Sequence, residues 1–87
     1  RWSLRASRLC GLDGVQIRVN PPGRLDLENL QVRLEARTGQ PWKLTELALS
    51  GSEGAWRIML FRDGRALIHG DLTPERARGW YSEVVGS

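Results

Sequence analysis

The apolar and polar residues of this chain recur with two spacings, one typical of strands and the other typical of helices. Alternation of apolar with polar residues predicts a half-buried strand at Val15, Ile17 and Val19. Three further strands are predicted over residues 43–50, 55–62 and 65–70. The last two strands are joined through Asp63-Gly64, a dipeptide typical of hairpin turns.

Two helices are predicted from apolar residues three and four positions apart between recognisable end signals. The first covers residues 26–38, with Asp26 as its N-cap and Gly39 just beyond its end. The second begins after the N-cap Thr73, with Pro74 in its first position. Its apolar stripe consists of Ala77, Trp80, Tyr81, Val84 and Val85.

The order of these elements is strand, helix, three strands, helix, which predicts an α+β fold. In this fold the two helices pack on a mainly antiparallel four-stranded sheet and form two layers. Residues 13–87 are predicted to form this single domain, and residues 1–12 a tail or linker. Trp80 is expected in the core, whereas Trp42 and Trp56 are expected to be partly exposed.

The Asp63-Gly64 turn also predicts which residues of the hairpin share a face. A two-residue type I′ turn, in which both residues have positive φ, places Arg62 opposite Arg65. One face then carries Trp56, Ile58, Leu60, Leu67 and His69, and the other carries Met59, Phe61, Ala66 and Ile68. Both faces are apolar, whereas two short helices cover only one of them.

We therefore expect a docking surface on the uncovered face of the sheet. Trp56 with Ile58 and Leu60 is the expected apolar patch. Arg62 and Arg65, as a like-charged cross-strand pair, are the best local candidates for contact with an acidic partner. The simpler interpretation is that these two arginines are solvated.

Charge limits the classes of partner that the chain could bind. The 87 residues carry a net charge of +3, and 12 of the 13 cations are arginine. Arginine favours bidentate contacts with carboxylates and phosphates, so an acidic partner or a nucleic acid is one interpretation. A solvated arginine-rich surface is the simpler one, because the arginines are scattered along the chain. Nucleic-acid binding is not expected, and no apolar run is long enough for a membrane helix.

Cys10 and His69 are the only cysteine and the only histidine. A single cysteine excludes an internal disulfide and a cysteine-based zinc site in this chain, and it suits a reducing cytoplasm. Cys10 is a weak candidate nucleophile beside Arg8, and a small buried hydrophobic residue is the simpler role. His69 is expected to pack or to form a hydrogen bond at a strand end, because no nucleophile is placed near it.

Four segments resemble, in the same order, a known adenylyltransferase domain. They are residues 10–16 (CGLDGVQ), Leu25-Asp26-Leu27 with Leu30, residues 61–68 (FRDGRALI), and Ala77-Arg78 with Tyr81 and Val85-Gly86. They resemble the C-terminal domain of prokaryotic ubiquitin-activating-like adenylyltransferases of the ThiF/MoeB/HesA family. The likeness covers residues 9–86. Leu12, Gly14 and Arg62 depart from it, since arginine, alanine and proline are usual there.

The resemblance implies a parent enzyme that adenylates the C-terminal glycine of a ubiquitin-like sulphur-carrier protein with ATP and magnesium, often with structural zinc. That chemistry resides in the family's larger Rossmann-like domain. This chain has no Gly-rich phosphate loop, no Cys-x-x-Cys pair and no acidic metal-binding cluster. We therefore expect a non-catalytic accessory domain, excised from a longer cytoplasmic chain and without a cofactor of its own. It would dock to the carrier, to the parent's catalytic domain or to a twin subunit.

Two other functions stay open from the sequence. One is a free-standing adaptor of the same fold that binds another protein. The other is a role in which Cys10 carries sulphur or an acyl group.

Overall fold

Six strands and two helices make up the part of the chain that the structure describes. The computed structural model describes residues 3–8, 13–20 and 23–86. The strands are β1 (Ser3–Arg8), β2 (Gly14–Asn20), β3 (Lys43–Leu44), β4 (Ala48–Glu53), β5 (Trp56–Phe61) and β6 (Ala66–His69). The helices are α1 (Leu27–Thr38) and α2 (Pro74–Val84). All six strands form one antiparallel sheet in the order β1-β2-β6-β5-β4-β3.

The α+β class, the antiparallel sheet and the two helices are confirmed, whereas the prediction of four strands is wrong. Residues 3–8, assigned to a tail, form an edge strand because Leu4 and Ala6 pair with Val19 and Ile17 and pack against the core. The predicted strand over residues 43–50 is instead a short hairpin of β3 and β4. Its turn is closed by the Thr45 hydroxyl, which accepts a hydrogen bond from the Ala48 N–H.

Both helices begin and end at the residues whose side chains or backbone suit those positions. Asp26 Oδ1 accepts a hydrogen bond from the Asn29 N–H, and the Thr73 hydroxyl accepts one from the Arg76 N–H. Gly39 ends α1 with a φ of 69°, a conformation that glycine adopts without steric cost. The predicted caps Asp26 and Thr73 and the predicted end of α1 at Thr38 are therefore confirmed, whereas α1 begins one residue later than predicted and α2 ends at Val84, before Val85.

The two helices lie on the same face of the sheet and enclose one core. Helix α1 packs on β3 and β4, and helix α2 packs on β1 and β2. The largest fully buried side chains come from both layers: Tyr81, Ile17, Leu27, Leu34, Leu49, Ile58, Leu60, Ile68 and Val15. Trp80 is in the core as predicted, but the expected exposure of Trp42 is wrong, since only 3% of that residue is exposed.

The hairpin between β5 and β6 has a register one residue away from the predicted one. Gly64 has a φ of 102°, and no described non-glycine residue has a positive φ, so a type I′ turn does not form. The Phe61 N–H donates to the Arg65 carbonyl and the Gly64 N–H donates to the Phe61 carbonyl, which closes a three-residue loop. Met59 consequently pairs with Leu67, and Leu60 with Ala66.

This change of register exchanges the faces of β6, because neighbouring residues of a strand point to opposite sides. Ala66 and Ile68 share the helix-covered face with Ile58 and Leu60, whereas Leu67 and His69 lie on the other face. The predicted sharing of a face by Leu60, Leu67 and His69 is therefore wrong. The predicted cross-strand pair of Arg62 and Arg65 is also wrong, since Arg65 is bonded to Phe61.

The hairpin loop is held in place by the rest of the domain. The Tyr81 hydroxyl of α2 donates a 2.6 Å hydrogen bond to the Gly64 carbonyl. The Leu25 N–H donates to the Arg62 carbonyl at 2.8 Å. Burial raises the pKa of Tyr81 to about 12, so the phenol is protonated and able to donate at neutral pH. One of these contacts comes from helix α2 and the other from the residues just before α1, and together they hold the loop in place.

One ion-pair network joins both helices to the sheet. The Arg37 guanidinium donates to Glu53 Oε1 at 2.8 Å and to Glu83 Oε1 at 3.0 Å. Trp80 Nε1 donates to the same Glu53 oxygen at 3.1 Å. The hydrogen bond from Arg37 is the main cause that holds the pKa of Glu53 below its ordinary value, and the bond from Trp80 acts in the same direction.

Acid is therefore expected to remove the stabilisation that Glu53 provides. Because the folded-state pKa is lowered, this stabilisation is present above the unfolded-state pKa of about 4.3 and is lost as the pH falls through the folded value. Glu53→Gln is expected to cost about 1 kcal/mol at pH 7 and close to nothing in strong acid, measured by urea unfolding. A matched control is Glu46→Gln, whose carboxylate contacts no cation among the described residues. An equal cost for Glu53→Gln at both pH values would contradict this account.

Candidate partner-binding surface

The face of the sheet opposite the helices is open along the described strands, and we call it the outer face. Alternation along each strand gives three neighbouring rows of side chains on it. The central row runs Gln16, Leu67, Met59, Ser50 and Lys43. One flanking row contains His69, Arg57 and Ser52, and the other contains Arg5, Arg18, Phe61 and Ala48. This face is mixed in character rather than fully apolar or fully polar.

The centre of the outer face is apolar. Met59 and Leu67 are cross-strand partners, and 38% of Met59 is exposed. Phe61 is half-buried beside them, and the Arg65 guanidinium carbon lies 4.9 Å from the centre of its ring. A methionine and a leucine side by side provide a contact area that can repack around a partner, because methionine is unbranched and flexible.

Cations surround this apolar centre. Arg57 lies at one end, and Arg5 and Arg18 are cross-strand partners at the other. Lys43 lies at the β3 edge. No strand residue described on the outer face is acidic, and none of the ion pairs among the described residues involves Arg5, Arg18, Lys43 or Arg57. The outer face therefore carries positive charge that no described carboxylate on that face neutralises.

A groove of about 580 Å³ lies at the Arg57 end of the outer face. The small residues Ser50, Gly51 and Ser52 of β4 form one side. The longer side chains of Arg57, Met59, Leu67 and His69 line the rest. The groove thus combines an apolar wall, formed by Met59 and Leu67, with the guanidinium group of Arg57.

The structure places the predicted apolar patch on the covered side of the sheet. Ile58 and Leu60 are 2% and 0% exposed and contribute to the core. Trp56 is half-buried on the same side, with the Arg76 guanidinium carbon 5.5 Å from its ring centre. The prediction that these three residues form an open patch is therefore wrong, because the face they share is the one that the helices cover.

Arg62 and Arg65, the two arginines predicted to contact an acidic partner, point in different directions. Arg62 turns toward α1, where it donates to the Glu46 carbonyl at 2.7 Å and approaches Glu28 at 3.4 Å. Glu28 has a lowered pKa, mainly through hydrogen bonding from its own backbone N–H and then through Arg62. Arg65 is bonded to Asp63 at 2.9 Å. A contact of Arg62 and Arg65 with an acidic partner stays a prediction.

The remaining candidate residues occupy different places. Cys10 lies outside the described residues. His69 is exposed on the outer face opposite Arg57, so the prediction that it shares a face with Ile58 is wrong. Within the described ranges no group of three or more histidine, cysteine, aspartate or glutamate residues could hold a metal ion. No helix in this part of the chain is long and apolar enough to cross a membrane.

The sequence did contain a signal for the outer face. Arg18 follows the buried Ile17, and Arg57 and Met59 flank the buried Ile58, so these residues occupy the alternate positions of their strands. With the observed hairpin register, the same alternation adds Leu67 and His69 to this face. The register of the hairpin between β5 and β6 could not be predicted, because the Asp63-Gly64 dipeptide alone does not determine it.

The fold and the outer face together define a small two-layer α+β domain with one face of its sheet uncovered. Over 82 residues the chain is 37% identical to the Sulfur carrier protein ThiS adenylyltransferase of Bacillus subtilis (strain 168). The match covers 94% of this chain and 24% of that relative, so the chain spans about a quarter of its length. The predicted resemblance to ThiF/MoeB-like adenylyltransferases is confirmed. No protein-family model matches the chain, and no solved structure matches it.

Proposed function

We propose that this chain is the C-terminal accessory domain of an adenylyltransferase that activates a ThiS-like sulphur-carrier protein. The observation that carries this proposal is the 37% identity over 94% of the chain to one quarter of a ThiS adenylyltransferase. An accessory domain binds or positions a protein, while the adenylation chemistry takes place elsewhere in the parent enzyme. The open sheet face supports such a role, because it leaves side chains available for contact with another protein.

The residues in the described ranges do not fit ATP or magnesium. Magnesium is held by carboxylates and phosphate oxygens, and the groove is lined by serines, arginine and histidine without a carboxylate. Within those ranges no glycine-rich loop leads from a strand into a helix to receive a phosphate group. We therefore assign ATP, magnesium and any zinc to the parent's catalytic domain.

The proposal is tested with the complete gene product that contains this chain. It is expected to exchange labelled pyrophosphate into ATP only in the presence of a ThiS-like carrier with its C-terminal glycine. Removing residues 3–87, which include strand β1, is expected to raise the KM for the carrier about tenfold, equivalent to about 1.4 kcal/mol, because carrier contacts are lost while the chemistry remains. The KM for ATP is expected to change less than about twofold.

Two controls make this experiment decisive. A carrier that lacks its terminal glycine should support no exchange, and thermal unfolding should show that the shortened enzyme remains folded. Exchange catalysed by the isolated 87-residue chain would contradict an accessory role. Absence of carrier-dependent exchange by the complete gene product would contradict the assignment to this class of enzyme.

A further inference from the structure

We infer that the outer face is the surface on which this domain receives the sulphur carrier, through a carrier surface with carboxylates arranged around an apolar centre. This inference rests on the proposed function for the identity of the partner. It rests on the outer face itself for the chemistry of the contact. The face is the part of the sheet that neither helix covers.

The distribution of charge favours an acidic partner. Arg57 at one end, Arg5 and Arg18 at the other, and Lys43 at the edge form a cationic rim. Carboxylates that neutralise the helix-side arginines, such as Glu28 and Glu53, lie on the other side of the sheet. A carrier surface with carboxylates would therefore meet cations that have no competing partner among the described residues, which accelerates association and suppresses wrong partners.

The side-by-side arginines add a geometric argument. Arg5 and Arg18 lie directly opposite each other on neighbouring strands, and like charges in that position repel. A carboxylate placed between two guanidinium groups relieves that repulsion and accepts a hydrogen bond from each. The arrangement thus costs stability in the free domain and recovers it when an acidic group binds.

The apolar centre indicates a protein partner rather than a nucleic acid. Met59 and Leu67 occupy the centre, and neither side chain can stack on a base. The one aromatic ring on the described outer face, Phe61, is already covered by the Arg65 guanidinium. An apolar centre with a charged rim is the usual arrangement of interfaces that form and dissociate between folded proteins.

The same charges exclude a face-to-face pairing with a second copy of this chain. Such a dimer would bring two sets of arginines into contact without intervening carboxylates, which is unfavourable. A carrier with carboxylates on its surface avoids this repulsion. It must also bind and leave in every reaction cycle. A contact steered by charge, with a small apolar centre, suits that transient association.

The test measures the Kd of a fluorescently labelled ThiS-like carrier for the complete gene product. The double variant Arg18→Glu/Arg57→Glu is expected to raise this Kd at least about tenfold at low salt, since two attractive contacts become repulsive. The matched control Arg33→Glu/Arg78→Glu reverses two exposed arginines on the helix side and is expected to change Kd less than about twofold. Added salt should weaken binding of the unaltered protein more than that of the outer-face variant.

The milder variant Arg18→Gln/Arg57→Gln guards against misfolding and should weaken binding in the same direction by a smaller factor. An unchanged Kd in both outer-face variants, or an equal loss in the control, would overturn the inference. The inference would also be overturned if the outer-face variants lost binding to duplex DNA while their Kd for the carrier was unchanged. Carrier binding that depends on Arg57 without any pyrophosphate exchange would instead contradict the proposed function and leave the docking inference standing.

Discussion

Gly51→Ala is expected to destabilise the domain by about 3 kcal/mol, because strand β4 passes against an indole ring at this position. A Cβ atom on Gly51 would collide with Trp42 Cδ2 and would lie 2.6 Å from Cε2 and Cε3 of the same ring. Inserting an atom into a packed core forces side chains and backbone out of their preferred positions. Real Cβ atoms essentially never approach another atom so closely, so either the ring or the strand must move.

The ring of Trp42 cannot move cheaply, because three hydrogen bonds hold this residue. Its N–H donates to Glu35 Oε2 at 2.8 Å, and its indole Nε1 donates to the Thr38 hydroxyl at 3.1 Å. Its carbonyl accepts from Gln31 Nε2 at 2.9 Å. A shift of Trp42 that relieves the collision therefore breaks hydrogen bonds between this residue, which precedes β3, and helix α1. The cost therefore exceeds that of an ordinary glycine-to-alanine change in a strand.

Urea unfolding at neutral pH measures this effect. The control is Gly79→Ala, which adds the same methyl group at an exposed position of α2 where no atom lies within 4 Å. That substitution is expected to stabilise the domain by about 0.5–1 kcal/mol, because alanine is the better helix former. Equal unfolding free energies for the two variants would show that Gly51 and Trp42 are not packed as described.

Leu60→Ala is expected to cost about 3–4 kcal/mol, whereas Met59→Ala next to it should cost less than about 1 kcal/mol. Leu60 is completely buried between the sheet and the helices, and its truncation leaves a cavity as well as losing buried apolar surface. Met59 points to the outer face and is partly exposed. The difference between these neighbours follows from the alternation of side chains along β5.

A second pair on β6 tests the hairpin register itself. Ile68→Ala should be as damaging as Leu60→Ala, and Leu67→Ala as mild as Met59→Ala, when each variant is unfolded with urea. A type I′ hairpin would place Leu67 beside Leu60 and would reverse the order of the two β6 variants. Measuring all four therefore distinguishes the two registers by stability alone.

The helices could be predicted from the sequence because their signals are local. Asp26, Thr73, Pro74 and Gly39 each act on the backbone within one turn of their own position, so no knowledge of the rest of the fold is needed. The family resemblance was equally accessible, since it depended on several short segments in a fixed order. It was confirmed over nearly the whole chain.

The sheet was harder to predict because its register depends on contacts between distant residues. Asp63-Gly64 is compatible with a two-residue turn and with a three-residue loop, and the two differ by one position. The bonds from Tyr81 and Leu25 to the loop come from elements far away in sequence. Burial of Ala66 and Ile68 against Ile17 and Val15 also favours the observed register. None of these contacts is visible in a local pattern.

Strand β1 and the outer face escaped prediction for related reasons. Leu4 and Ala6 give β1 only two apolar positions, too few for a reliable alternation. The arginines of the outer face could be recognised as a group only once their strands were placed side by side. The expectation of an uncovered sheet face is nevertheless consistent with the structure, although the residues assigned to it were those of the covered face.

Helix α2, the last element in sequence, packs on β1 and β2, the first two strands. Strand β2 is in turn hydrogen-bonded to β6. During synthesis the ribosome releases β2 well before its second partner, β6, exists. Until α2 has also left the ribosome, Val15 and Ile17 lack the helix that covers their strand. Folding of this unit should therefore be slow for its size, as expected when pairings span most of the polypeptide.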